Sequence, residues 1–199
     1  MKVEHPIMTP LAPVTGDQTF RELKQSLEET STQLGELPNF IRVLARSPAA
    51  LKAYTLVDKA LANGQITPRQ REQIALAVAE INSCSYSLSV HCALGLNLGL
   101  SEEDIRLARK ATASDPQTKA MLRFTQAVVL QRGGISRDEL QMLRAAGFRD
   151  AQIIEILAGV GLNIFTNYFN TVAKTQADFP LITPEVEIPC PPIKPGERK

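Results

Sequence analysis

The sequence predicts an all-α protein, and three observations carry that prediction. Two capping boxes, Thr67–Gln70 and Ser136–Glu139, each open a run of apolar residues at helical spacing. Two further pairs, Ser47-Pro48 and Asp115-Pro116, set a capping side chain ahead of a proline suited to the first helical position. No segment alternates polar and apolar residues as a half-buried strand would.

In chain order, Ser47 caps a helix begun by Pro48. Thr67 caps the next, with Pro68 at its first position and Ile74, Ala77 and Val78 returning on one side. Asn82 or Ser83 is the candidate N-cap of a third helix, which would put Cys84 in its first turn. Ser101 opens another, with Glu102, Glu103 and Asp104 where the helix dipole favours acids. Asp115-Pro116 begins a fifth. Ser136 begins a sixth, which carries Leu140 and Leu143 and ends at Gly147 as a C-terminal cap. The helix after Asp150 is apolar on most faces, more than one packing partner explains, and this predicts a homo-oligomer (trimer, hexamer or dimer).

A weak repeat runs through these elements. Pro48, Gly64 and Thr67–Gln70 resemble Pro116, Gly134 and Ser136–Glu139 at an offset of 68 to 69 residues, which reads as one helical unit used twice. The expected organisation is an N-terminal arm over 1–19, a helical domain over 20–180 and a proline-rich C-terminal arm over 181–199. The two units of the domain span about 38–100 and 116–175. Pro189, Pro191, Pro192 and Pro195 exclude helix from the last arm, so it should run extended or lie along another surface.

Composition narrows the function. Lys and Arg number 22 against 21 Asp and Glu in 199 residues. That balance gives no electrostatic reason for a nucleic-acid or anionic-membrane partner. The longest clean apolar run, Ile74 to Ala79, is far short of the ~18 residues of a membrane span. The first residues lack a hydrophobic signal core, so a cytoplasmic location is expected. Three cysteines, an odd number, argue against a disulfide scaffold and for reduced thiols.

The chemistry concentrates in residues 72–92. Cys84, Ser87 and His91 recur at i, i+3 and i+7, so a thiol, a hydroxyl and an imidazole share one helical stripe. Antiparallel packing on the preceding helix would bring Glu72 level with His91, and a carboxylate there would orient the imidazole and raise its basicity. A buried stripe of small residues with one satisfied histidine would have the same spacing. Glu80 and Tyr86 are candidates to support the site from behind. Cys92 reads as a small core residue; some 12 Å of helix axis separates it from Cys84, too far for a disulfide. Cys190 reads as inert and His5 as a solvated tail residue. Asn163, Asn167 and Asn170 form a polar stripe of buried amides, satisfied by backbone or a neighbouring subunit, or placed behind the thiol.

Glu72, eleven residues, then Cys84, Ser87 and His91 resemble the Glu–Cys-x-x-Cys-x-x-x-His signature of the alkylhydroperoxidase-D-like (AhpD-like) family, related to carboxymuconolactone decarboxylase. The residues around it agree: Asn82 to Tyr86, His91 to Gly95, Asn163 to Asn170 and Asp178 to Pro180. The resemblance covers roughly residues 20–182. It implies an all-helical, often duplicated and oligomeric fold, and a peroxidase acting on small hydroperoxides. The second cysteine of the pair attacks the peroxide, the first resolves the sulfenic acid to a disulfide, and Glu and His relay the proton. A dithiol or a lipoylated protein is the reductant. Neither metal nor organic cofactor is expected.

The chain departs from this pattern at the attacking position, where Ser87 stands. Cys84 matches the resolving position, and Glu72 and His91 the relay. A serine hydroxyl is no comparable nucleophile towards peroxide and forms no disulfide, so the two-cysteine cycle should not run. Ser87 is either an introduced Cys→Ser replacement or a natural residue. A natural serine would mean an inactive homologue, a one-thiol enzyme or metal-free acid–base chemistry of the decarboxylase type by His91 and Glu72. A non-catalytic oligomeric protein is the remaining class. At an offset of 69, the second unit carries Gln141, Ile153, Ile156 and Val160 in place of the four site residues, so only the first unit is armed.

Overall fold

The computed structural model describes residues 38–185, with Leu11 ahead of them. They form eight α-helices and no strand: α1 (Asn39–Leu44), α2 (Pro48–Ala62), α3 (Pro68–Ile81), α4 (Ser85–Asn97), α5 (Glu102–Arg109), α6 (Pro116–Leu130), α7 (Arg137–Ala145) and α8 (Asp150–Ala173). The expectations for residues 1–10 and 12–37, His5 included, and for 186–199, Cys190 included, lie outside the described residues.

The side-chain caps act as the sequence predicts. Ser47, Thr67, Asp115 and Ser136 each accept the backbone N–H three residues on. Ser101 and Asp104 form a full capping box, where the sequence predicts only acids in the first turn. Gly147 takes φ +97° beyond α7. Its N–H bonds Arg144 O, and Phe148 N–H reaches Leu143 O, the paired bonds of a Schellman stop. Phe148 and Leu143 are both buried in the main core.

α3 is the axis of the molecule. Every residue from Gln73 to Ile81 is buried, and α4, α5, α6 and α8 pack around it. A helix enclosed on all sides must be apolar on all sides. The run of Ile74, Ala75, Leu76, Ala77, Val78 and Ala79 meets that demand, with alanines that let neighbours approach closely. A second cluster seats Cys84 and Tyr86 beneath α1, among Phe40, Ile41, Leu44 and Leu51. Phe40 there meets Tyr54 and Phe169 edge-on, at ring-centroid distances of 4.9 and 5.6 Å.

α2 and α6 are both 15 residues long and begin at Pro48 and Pro116; capping boxes open α3 and α7 after them. The third helices differ, 13 residues in α4 against 24 in α8. After α8 the chain turns back along its own surface. Asp178 accepts from Asn39 N–H, Ile182 N–H donates to Ser89 Oγ, and Thr183 O accepts from Arg109. The beginning of the C-terminal arm is therefore laid on α4 and α5 of the same chain.

Tyr86 ties these ends together. Its hydroxyl accepts Phe40 N–H at 3.1 Å and donates to Asp178 at 2.5 Å. Burial, then the bond to Asp178, push the phenol well above its ordinary value. Tyr86→Phe leaves the Phe40 N–H without an acceptor, at a cost of about 1–3 kcal/mol. The melting temperature is expected to fall by roughly 2–10 °C; an unchanged melt would show that the bridge contributes nothing.

Candidate active site

The site begins at the turn from α3 to α4. Ser83 adopts a left-handed conformation, φ 52°. Its N–H bonds Glu80 O, and Cys84 N–H bonds Ala79 O, so a Schellman stop ends α3 with serine where glycine is usual. Asn82 Nδ2 donates to Asn167 Oδ1 across to α8. Cys84 is thereby the N-cap residue of α4, one position earlier than the first turn expected from the sequence. The left-handed Ser83 closes the preceding helix and leaves Cys84 extended. The Cys84 side chain caps nothing; its Sγ donates to Ser87 Oγ at 3.2 Å.

One turn further along α4, His91 Nδ1 lies 2.8 Å from Glu72 Oε2, on the first turns of α3. Both side chains are mostly buried, 19% and 16% exposed. With Nδ1–H donating to the carboxylate, the basic nitrogen is Nε2. The antiparallel pairing inferred from spacing is thus present.

Ser87, His91 and Glu72 line a cavity of about 260 Å³, walled also by Tyr54, Asp58, Arg71, Asn163 and Thr166. Cys84 is not on its wall: position 87 faces the cavity, and the thiol stands behind it. Tyr54, Asp58 and Arg71 are not among the site residues that the sequence predicts. Their only signal was local: Tyr54 and Asp58 share a helical stripe at i and i+4, and Arg71 precedes Glu72. Burial raises the Tyr54 phenol strongly, with the charges of Asp58 and Glu72 adding to it. Burial also raises the Asp58 carboxyl, against a smaller lowering by Arg71.

Of the other candidates, Glu80 and Cys92 lie off the cavity, whereas Tyr86, Asn163 and Asn170 reach its wall. Glu80 is 1% exposed and pairs with Arg109 at 2.7 Å, and it also receives the Glu185 N–H. It anchors the C-terminal segment and does not line the cavity. Tyr86 is the strut already described, although its edge reaches the cavity wall. Cys92 is buried and free, its thiol raised first by burial. Of the asparagines, Asn163 donates to Gly159 O of its own helix, whereas Asn170 accepts from Thr175. Asn167 holds the turn before Cys84, so the stripe does reach behind the thiol. Ile153, Ile156 and Val160 are buried in the core. No helix among the described residues is long and apolar enough to cross a membrane, and no three of their His, Cys, Asp or Glu side chains cluster as a metal site.

Comparison with known proteins gives this arrangement its class: the AhpD-like helical fold. An uncharacterized peroxidase-related protein from Silicibacter sp. TM1040 is 23% identical with a TM-score of 0.75, over 88% of this chain and 95% of that one. An uncharacterized peroxidase-related protein from Ralstonia eutropha JMP134, described as an alkylhydroperoxidase AhpD core, is 21% identical with a TM-score of 0.75, over 85% and 93%. A cysteine-to-alanine variant of the debrominase Bmp8, in complex with 2,3,4-tribromopyrrole, is 18% identical with a TM-score of 0.72, over 88% and 93%. No curated protein matches the chain. Residues 48–130 match the model of the carboxymuconolactone decarboxylase family, and the matched segment contains Glu72, Cys84, Ser87 and His91.

Asp58 offers a check on the cavity's electrostatics. Its folded carboxyl is raised above the ordinary value of 3.8, so the folded state holds the proton more tightly than the unfolded chain. The stability it contributes is then full below 3.8 and is lost as pH rises from there through the raised folded value. Asp58→Asn removes the loss. Its melting temperature should exceed the parent's at about pH 8, and the gain should shrink towards pH 3.8. A gain independent of pH would contradict the assignment.

Proposed function

We propose that the cavity is a thiol-peroxidase site of the alkylhydroperoxidase type, acting on small organic hydroperoxides, with Ser87 at the attacking position. The observation that carries this reading is the placement of Ser87. Its Oγ lies 3.2 Å from the Cys84 thiol, on the cavity wall beside the His91–Glu72 pair.

With sulfur at position 87, the reaction has a place for every atom. Nε2 of His91 takes the thiol proton, and the charge is balanced by Glu72. The thiolate attacks the terminal peroxide oxygen; an S–O bond forms, the O–O bond breaks, and the alcohol leaves with the proton. The Cys84 thiol then attacks the sulfenic acid, a disulfide forms and water leaves. Side chains at i and i+3 on a helix are close enough for that bond. A dithiol, free or on a lipoylated protein, reopens the disulfide and is itself oxidised. Reduced thiols of this kind fit a cytoplasmic setting, and the exposed apolar residues of α8 fit a homo-oligomer.

With Ser87 the sequence stops before its first step, because the hydroxyl is too weak an acid to supply the nucleophile. A second reading keeps the intact His91–Glu72 pair and needs no sulfur: acid–base chemistry of the decarboxylase type. The family match over residues 48–130 favours it. A non-catalytic homologue would retain the cavity alone.

Consumption of tert-butyl hydroperoxide with dithiothreitol separates these readings. Ser87→Cys should turn over, and the parent chain should stay at background. His91→Ala in the Ser87→Cys background should lower turnover by roughly 10²–10⁴-fold. If Ser87→Cys is inert, the peroxidase reading is overturned and the acid–base reading takes its place.

A further inference from the structure

Most charged groups on the cavity wall already have a partner. Glu72 is bonded to His91. Glu155 accepts the backbone N–H groups of Gln65 and Ile66, at 2.6 and 3.1 Å. Arg71 differs: it lines the cavity, and its Nε is enclosed by protein without a hydrogen-bond partner. A guanidinium is always charged and presents a planar fork of donors. Leaving one of those donors buried and unmade is costly, and no carboxylate among the described residues forms an ion pair with Arg71, so a positive charge stands on the wall without a counter-charge bonded to it. Asp58 is the wall's other charged group without a hydrogen bond; it lies close enough to Arg71 to feel its charge, but the two form no ion pair.

Arg71 and Glu72 are consecutive residues on the first turns of α3, and Glu72 holds His91. Arg71 lines the same cavity as the His91–Glu72 pair and Ser87, so a ligand oxyanion seated on Arg71 shares that space with both. The cavity, at about 260 Å³, admits a molecule of a few carbon atoms beyond the charged group. The neutral part would meet Tyr54, Ile74 and Val90, which also line the wall.

We propose that Arg71 is the anchoring residue of the cavity and binds the carboxylate of a small carboxylate-bearing substrate, orienting its other end on position 87 and His91. The substrate class deepens the peroxidase reading and rests on it for the reaction, whereas the anchor itself is a statement about binding. A carboxylate fits the fork in two parallel N–H···O bonds, which a neutral amide of the same shape cannot match.

The experiment uses the parent chain, in which Ser87 prevents turnover, and compares benzoate with benzamide by calorimetric titration. The His91 ring signals in NMR report whether the probe enters the cavity. Benzoate is expected to bind at least about tenfold more tightly than benzamide and to shift the His91 signals. Arg71→Gln should abolish the preference, Arg71→Lys should keep part of it, and removal of the exposed Arg106 charge (Arg106→Gln) should leave it intact. Equal binding of the two probes by the parent chain overturns the proposal without any variant. So does a preference that survives Arg71→Gln or binding that leaves His91 unshifted. Binding and turnover are read separately: an inert Ser87→Cys protein that still prefers benzoate loses the peroxidase reading and keeps the anchor. An active one that shows no preference keeps the reaction and loses the anchor.

Discussion

The burial of α3 on every side is the constraint from which the rest of the structure follows. A helix that exposes one face can roll or slide a little against its neighbours. One enclosed by four others cannot do so without pushing apolar residues into water or charges into the core. Its two charged ends are therefore fixed. Glu72, on the first turns, points to the cavity and meets His91. Glu80, two turns later, is nearly inaccessible and is neutralised by Arg109. A buried carboxylate without such a partner would be strongly destabilising. Glu80, Arg109 and the backbone of Glu185 thus form one unit that closes the far end of α3 and fastens the chain after α8.

The turn after α3 passes this rigidity on to the reactive residues. A left-handed serine costs of order 1–3 kcal/mol and persists only where its surroundings over-determine it. Here the surroundings are explicit: two Schellman bonds back into α3, and the amide contact from Asn82 to Asn167 of α8. With Ser83 held, Cys84 has one available position. Ser87 and His91 then follow at the spacing of a helix, on the side that faces the cavity. Tyr86 projects differently and braces the same turn against α1 and Asp178. The chemistry and the bracing occupy different sides of one short helix.

How much of this was legible in the sequence depended on how local the cause was. Caps are decided within four residues, so Thr67, Ser101, Asp115 and Ser136 marked their helices. The Glu72–His91 contact spans 19 residues, but the turn between the two helices is short, so antiparallel packing was the expectation and spacing pointed to the pair without excluding a buried stripe with one satisfied histidine. Cys84 was misplaced by one position because the stop signal of α3 is a left-handed serine; a glycine at 83 would have shown it. The Tyr86–Asp178 bond joins residues 92 apart, and nothing short-range announces it. Arg71 and Asp58 were passed over for a general reason: charged side chains at helical spacing ordinarily read as a solvated surface. Only the tertiary structure turns that face of α2 and α3 towards a cavity.

The geometry of the site and its reactivity are separable, and position 87 is where they separate. The packing that places this position depends on the backbone of α4, the turn at Ser83 and the cluster beneath α1, none of which requires sulfur. Ser87 is accordingly in contact with Cys84, and the His91–Glu72 pair beside it is bonded. What changes is the acidity of the atom presented to the cavity. A thiol titrates near neutral pH and responds to a nearby base, while an aliphatic hydroxyl remains protonated unless that base removes its proton in the transition state. Under the proposed function, the same wall would serve a nucleophilic cycle with sulfur and at most proton transfer with oxygen. On that proposal the choice between the two chemistries would rest with one atom, because the fold holds position 87, the Cys84 thiol and the His91–Glu72 pair in place whichever atom stands there.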